Sequence, residues 1–162
     1  MINNVLQYLE ENASKYPDKL ALEDEKEKVT YEDYCQKAKH IGSYLAYKVH
    51  GRTNQPIAVL IERNIKSLIS FMGVVYSGNF YVPIDCTMPS ERIGLIFKTL
   101  NPIFVLDARG KEESWDDATK YEDILADATI DEPLLNRIRE DAIDLDPLYA
   151  IFTSGSTGIP KG

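Results

Sequence analysis

A chain of 162 residues can enclose one hydrophobic core, burying about two-thirds of its extended surface, so one domain or part of one is expected. Its 18 Lys and Arg against 26 Asp and Glu give a formal charge of −8, which disfavours attraction to nucleic acid or anionic lipid yet leaves room for a nucleotide held by local donors. No apolar stretch approaches the length of a membrane span, and the start Met1-Ile2-Asn3-Asn4 lacks the charge and apolar run of a signal peptide, so a cytoplasmic protein is expected.

The first helical stripe is Val5, Leu6, Leu9, Ala13 and Tyr16, ended by Pro17. Leu20-Ala21-Leu22 begins an extended segment, and the charged run Glu23 to Lys28 reads as the turn of a hairpin. Val29-Thr30 leads into a helix with Tyr34, Ala38, Ile41 and Leu45 on one face, where Thr30 is placed to cap and Tyr31 to pack. Cys35 and Cys86 lie in apolar segments, are too few for a zinc site, and read as structural thiols.

Ile57 to Ile61 is a continuous apolar run of strand length, the pattern of a central strand covered on both faces. Ile65, Leu68, Ile69, Met72, Val75 and Tyr76 follow at helical spacing, with Gly78 placed to end that helix. Phe80-Tyr81-Val82 is a second strand. Pro89 suits the first turn of a helix whose stripe is Ile93, Ile96, Phe97 and Leu100, and Ile103 to Leu106 is a third strand. Strands alternating with helices over short connections predict an α/β fold: a mainly parallel sheet covered by helices.

Arg109 to Asp117 reads as an exposed charged loop, with Trp115 as a packing anchor. Tyr121 to Ala128 and Glu132 to Glu140 are helical or irregular, and Asp141, Asp144 and Asp146 form an acidic approach to a last apolar run. Those aspartates read as a solvated linker in preference to a Mg²⁺ site, because nothing nearby completes an octahedral oxygen set. His40 and His50 have no nucleophile or carboxylate at a catalytic spacing, the paired acids Glu112-Glu113 and Asp116-Asp117 read as solvated, and Asp85 as a turn cap. No catalytic acid or base is assigned.

Leu148 to Phe152 reads as a buried strand that delivers Thr153-Ser154-Gly155-Ser156-Thr157-Gly158-Ile159-Pro160-Lys161-Gly162. Backbone amides exposed by the glycines, four hydroxyls and one lysine form a phosphate-cradling stretch. The Walker loop is excluded because Lys161 stands between Pro160 and Gly162, and the nucleophile elbow because Ser154 occupies its first glycine position. A flexible Ser/Gly linker has a similar composition, but the apolar run and Lys161 speak against it.

The stretch Tyr149 to Gly162 resembles the signature loop of the adenylate-forming (AMP-binding) superfamily. Two upstream segments resemble its other motifs in order: Val29-Thr30-Tyr31-Glu32-Asp33-Tyr34 is similar to L-T-Y-x-E-L, and Tyr76 to Asp85 to K-A-G-x-A-Y-V-P-L-D. Ser77 and Phe80 depart from the small residues of the second motif. With Pro89-Ser90-Glu91-Arg92-Ile93, the chain looks most like the amino-acid-activating branch, which includes peptide synthetase adenylation domains and D-alanine:carrier-protein ligases.

The resemblance covers nearly the whole chain and implies that residues 1–162 are the N-terminal portion of the large domain of an adenylate-forming enzyme. It implies activation of an amino acid by ATP as aminoacyl-AMP, release of pyrophosphate, and transfer to the phosphopantetheine arm of a carrier protein. Thr153, Ser154, Gly155, Ser156, Thr157, Gly158 and Lys161 would then contact the β- and γ-phosphates. The adenine pocket, the amino-acid pocket, the Mg²⁺ ligand and the catalytic lysine of the family lie downstream, so these residues alone are expected to be inactive and to self-associate through uncovered apolar surface. An acyl-CoA synthetase with the same loop and a noncatalytic interaction module are the alternatives.

Overall fold

The structure, a computed structural model, describes residues 4–127, 129–154 and 160–161. Helix α1 (Val5–Lys15) starts where the Asn4 side chain accepts a hydrogen bond from the Leu6 amide and the Gln7 side chain accepts one from the Asn4 amide. This reciprocal capping satisfies amides that the first turn leaves unpaired. Strands β1 (Leu20–Glu23) and β2 (Lys28–Thr30) pair antiparallel, and Asp24 Oδ1 closes their turn by accepting from the amides of Lys26 and Glu27. Thr30 Oγ1 caps α2 (Tyr31–Lys48) by accepting from the Asp33 amide at 3.2 Å.

The α/β repeat then follows in order: β3 (Pro56–Ile61), α3 (Ile65–Tyr76), β4 (Phe80–Asp85), α4 (Ser90–Leu100) and β5 (Phe104–Asp107). Strand β6 (Thr119–Lys120) and helices α5 (Tyr121–Asp127) and α6 (Glu132–Asp141) complete the layers. The sheet order is β4-β3-β5-β6 and all its pairings are parallel, with Ile57 of the central β3 set between Tyr81 and Phe104.

Alternation along β3 divides the core into two faces. Ile57 and Val59 pack with α1, α2, α3 and α5 through Leu6, Ile41, Ile69 and Ile124. Ala58 and Leu60 pack with Val82 and Ile84 of β4 and with Ile93 and Ile96 of α4. Each fully buried aliphatic side chain of this kind contributes about 1.5–3 kcal/mol. Helices α2 and α3 approach closely: a Cβ built on Gly73 would lie 2.4 Å from Ile41 Cγ2, and one on Gly42 would lie 2.4 Å from Tyr76 Cβ.

Helix α3 ends at Ser77, and Gly78 takes the left-handed conformation (φ 75°) that reverses the chain into β4. Buried Asn79 holds this corner, its Oδ1 accepting from the Gln55 amide at 3.0 Å and its Nδ2 donating to the Ser77 carbonyl.

Three details differ from the sequence reading. Pro89 stands one residue before α4, as its cap, because its extended ψ of 137° is outside the helix. Thr119 and Lys120 form a short strand beside Leu106 and Asp107 that no apolar run announced. Arg109 is buried rather than part of an exposed loop, because Asp107 neutralises it.

Candidate functional site

The approach to the phosphate-type stretch is built by local hydrogen bonds. Asp146 Oδ2 accepts from the Ile143 amide at 2.9 Å, and its Oδ1 accepts from Asn54 Nδ2 at 3.1 Å, tying the acidic segment to the loop before β3. Among the described residues no group of three or more His, Cys, Asp or Glu side chains could hold a metal ion.

The chain then runs beside β4. The Tyr81 amide donates to the Leu148 carbonyl at 3.3 Å and the Ala150 amide donates to the Tyr81 carbonyl at 3.1 Å, a single parallel bridge between Tyr81 and Tyr149. The expected buried strand over Leu148 to Phe152 is therefore reduced to one rung, and Tyr149 and Ile151 are 54% and 56% exposed. Ala150 and Phe152, on the alternate side, pack on the cluster containing Val82, Ile84, Ile93 and Ile96.

Because the bridge is parallel, the segment runs in the same direction as β4 where it meets Tyr81. Asp85, the last residue of that strand, lies four positions after Tyr81, and Thr153 lies four positions after Tyr149. Ligands of open α/β sheets bind beyond the carboxyl ends of the strands, which is where this direction leads. Strand β7 (Thr153–Ser154) pairs antiparallel with β8 (Pro160–Lys161), Thr153 opposite Lys161 and Ser154 opposite Pro160, and β8 lies against α4. Gly155, Ser156, Thr157 and Gly158 lie outside the described residues. The same helix α4 carries Arg92, whose Nε is buried with no hydrogen-bond partner among the described residues.

The carboxyl ends of the strands are joined by polar side chains. Asn64 caps α3 by accepting from the Ser67 amide and donates its Nδ2 to the carbonyls of Ala108 and Arg109, linking the ends of β3 and β5. Asp24 Oδ2 accepts from the Ile65 amide, and the amides of Ile65, Lys26 and Glu27 hold its carboxyl below the usual carboxylate value. The Thr87 hydroxyl and amide likewise lower Asp85, the turn role expected of it.

Sequence reading missed a buried ion pair here. Arg109 bonds Asp107 at two points, Nε to Oδ1 at 2.9 Å and Nη2 to Oδ2 at 2.7 Å, and its guanidinium lies 5.3 Å from the Trp115 ring centroid. Burial alone would raise the Asp107 carboxyl, but the hydrogen bonds and charge of Arg109 outweigh it and hold the group low. The D-x-R spacing was the available signal, masked by the charged residues that follow. Burial pushes the thiols of Cys35 and Cys86 up, which disfavours the nucleophilic thiolate and agrees with a structural role. Among the described residues no helix is long and apolar enough to cross a membrane.

Comparison with known proteins bears on this geometry. The profile described as AMP-binding enzyme matches residues 9–162. Gramicidin S synthase 2 of Brevibacillus brevis is 30% identical over 160 residues, covering 94% of this chain and 3% of that synthase. PA1221, a nonribosomal peptide synthetase protein containing adenylation and PCP domains, superposes with a TM-score of 0.81 at 21% identity over 97% of this chain and 26% of its own. A fatty acyl-adenylate ligase from L. pneumophila, solved with acyl adenylate and pyrophosphate, superposes with a TM-score of 0.73 at 22% identity over 100% of this chain and 30% of its own. The chain thus spans a small part of the proteins it matches.

Proposed function

Because this chain belongs to the AMP-binding enzyme family, we propose that it is the N-terminal part of an adenylation domain that activates an amino acid at the expense of ATP. The substrate carboxylate attacks the α-phosphorus, the bond to the β-phosphate bridging oxygen breaks, and pyrophosphate leaves, giving aminoacyl-AMP. Such a reaction needs little covalent help from the protein, so positioning and charge stabilisation dominate. Thr153, Ser154, Gly155, Ser156, Thr157, Gly158 and Lys161 hold the β- and γ-phosphates in this reading, Lys161 by its charge. Magnesium would neutralise the polyphosphate, and its ligands are assigned to residues beyond this stretch. In the cytoplasm the phosphopantetheine thiol of a carrier protein, losing its proton, then attacks the acyl carbon, the bond from that carbon to the phosphate oxygen breaks, and AMP leaves as the thioester forms.

The observation that carries this reading is the parallel bridge at Tyr149, which aims the Thr153 to Lys161 hairpin at the carboxyl end of β4. The synthase relatives favour an amino acid over a fatty or aryl acid as substrate.

The test is ATP–pyrophosphate exchange by the chain extended to its natural stop codon, with each L-amino acid, D-alanine, and several fatty and aryl acids. One amino acid should stimulate exchange, and Lys161→Ala should lower it by about 10- to 150-fold, the loss of one charge-assisted contact. Exchange with fatty or aryl acids alone would transfer the protein to the acyl-activating branch, and silence with every acid would refute an activating role. The 162-residue chain by itself should give no exchange.

A further inference from the structure

The outer edge of β4 carries two residues whose backbone groups face the incoming segment, Tyr81 and Pro83. In a parallel ladder the residue that faces a neighbour both donates to it and accepts from it, and the next residue to do so lies two positions on. Tyr81 does both, to Leu148 and from Ala150. The next rung would need an N–H at position 83 to donate to the Ala150 carbonyl, and proline has none. Among the described residues no backbone bond joins Pro83 to the segment. The ladder therefore stops after one rung, although the apolar run continues through Phe152.

The single rung is reinforced by side chains. The Tyr81 ring stacks on Phe71 of α3 at 4.3 Å between centroids, nearly parallel at 14°, and on Tyr149 at 5.8 Å. Tyr81 is thus fixed from the core side by Phe71 and by its place in β4 beside Ile57 of β3, and it transmits that position to Tyr149. Beyond this point the segment is held by Ala150 and Phe152 on the α4 face of the sheet, and it enters β7 unpaired with β4.

We propose that Tyr81 and Pro83 are positioning residues for the phosphate-binding hairpin: Tyr81 sets the register of the segment that carries it, and Pro83 sets where that segment leaves the sheet. This rests on the reading of Thr153 to Lys161 as the nucleotide site. Neither residue touches substrate. Each acts by fixing where the hairpin begins.

The experiment uses the chain extended to its natural stop codon and reads two quantities, amide hydrogen exchange at residue 150, joined by residue 83 in the Pro83→Val variant, and the KM for ATP against kcat in pyrophosphate exchange. Tyr149→Ala, a change at an exposed ring, and Tyr81→Ala should each speed exchange of the Ala150 amide by about tenfold and raise the KM for ATP by a similar factor, with kcat changed less. Tyr81→Phe, which keeps the ring, should restore both. Pro83→Val supplies the missing donor: its new amide should be protected and the KM for ATP raised, because the ladder can extend and draw the hairpin toward β4. Ala150 protection unaltered in both alanine variants, or a valine amide that exchanges freely with an unaltered KM, would overturn the proposal. If the folded parent exchanged pyrophosphate with no acid, the functional reading would fall, while protection of the Ala150 amide, and of the amide that Pro83→Val introduces, would still decide whether these residues position the segment.

Discussion

Arg109 grips the carboxylate of Asp107 at both oxygens, from only two residues away, with the two side chains 4% and 2% exposed. The Arg109 amide also donates to Asp107 Oδ1, so the carboxylate closes the turn that ends β5 as well as neutralising the guanidinium. Removing one partner of a buried pair leaves the other charge without compensation, a loss of about 3–5 kcal/mol. Asp107→Ala should lower the urea midpoint accordingly. Replacing both partners, Asp107→Leu with Arg109→Met, should recover much of that loss, since the desolvation of both ions is then avoided.

The same pair makes stability depend on pH with a defined sign. Asp107 titrates below its ordinary value of 3.8 in the folded chain, so the unfolded chain binds the proton first as pH falls. The stabilisation is complete above that value and is lost as pH drops through the lower folded value. Asp24 and Asp85, lowered by hydrogen bonds, act in the same direction. Unfolding free energy measured between about pH 5 and pH 2 should fall steeply in the parent and less steeply when both Asp107 and Arg109 are replaced as above.

The contact of α2 with α3 permits a test in which helix propensity and packing oppose each other. Alanine is favoured over glycine inside a helix by about 1 kcal/mol, so propensity alone predicts that Gly73→Ala stabilises the protein. A Cβ there, however, would sit 2.4 Å from Ile41 Cγ2 and 2.5 Å from Ile41 Cβ, on a branched side chain buried in the core. Overpacking of this kind costs about 1–3 kcal/mol. The variant should therefore melt at a lower temperature than the parent. An unchanged or higher Tm would mean that the two helices can separate freely.

Apolar surface near the end of the described chain should make the 162-residue protein associate with itself. Leu145 is 84% exposed, Ile143, Tyr149 and Ile151 are more than half exposed, and all four lie in the segment that leads to the hairpin. Exposed apolar side chains concentrated in one segment favour association. Sedimentation should show a mass that rises with concentration, and Leu145→Lys with Ile151→Lys should suppress the rise. A monomer at every concentration would count against it.

Periodicity by itself determined the α/β alternation here. The run Ile57 to Ile61 and the stripes Ile65 to Tyr76 and Ile93 to Leu100 have the lengths and spacings of a doubly covered strand and two helices, although packing buries most of the first helix and leaves Leu68 of its stripe exposed. The cap at Thr30 and the helix end at Gly78 were legible for the same reason, since their roles are set by bonds within a few residues. The family motifs also lie in contiguous stretches, so they could be read without coordinates. Tertiary structure alone decided the rest, because the deciding partner lay outside the local pattern. Asp107 turns Arg109 inward only when the turn after β5 brings them under Trp115, and the strand expected at Leu148 to Phe152 shrinks to one rung because Pro83 stands two positions after Tyr81, its distant neighbour across the sheet edge. An apolar run records that a segment can pair, whereas the length of the ladder depends on the donors its neighbour presents.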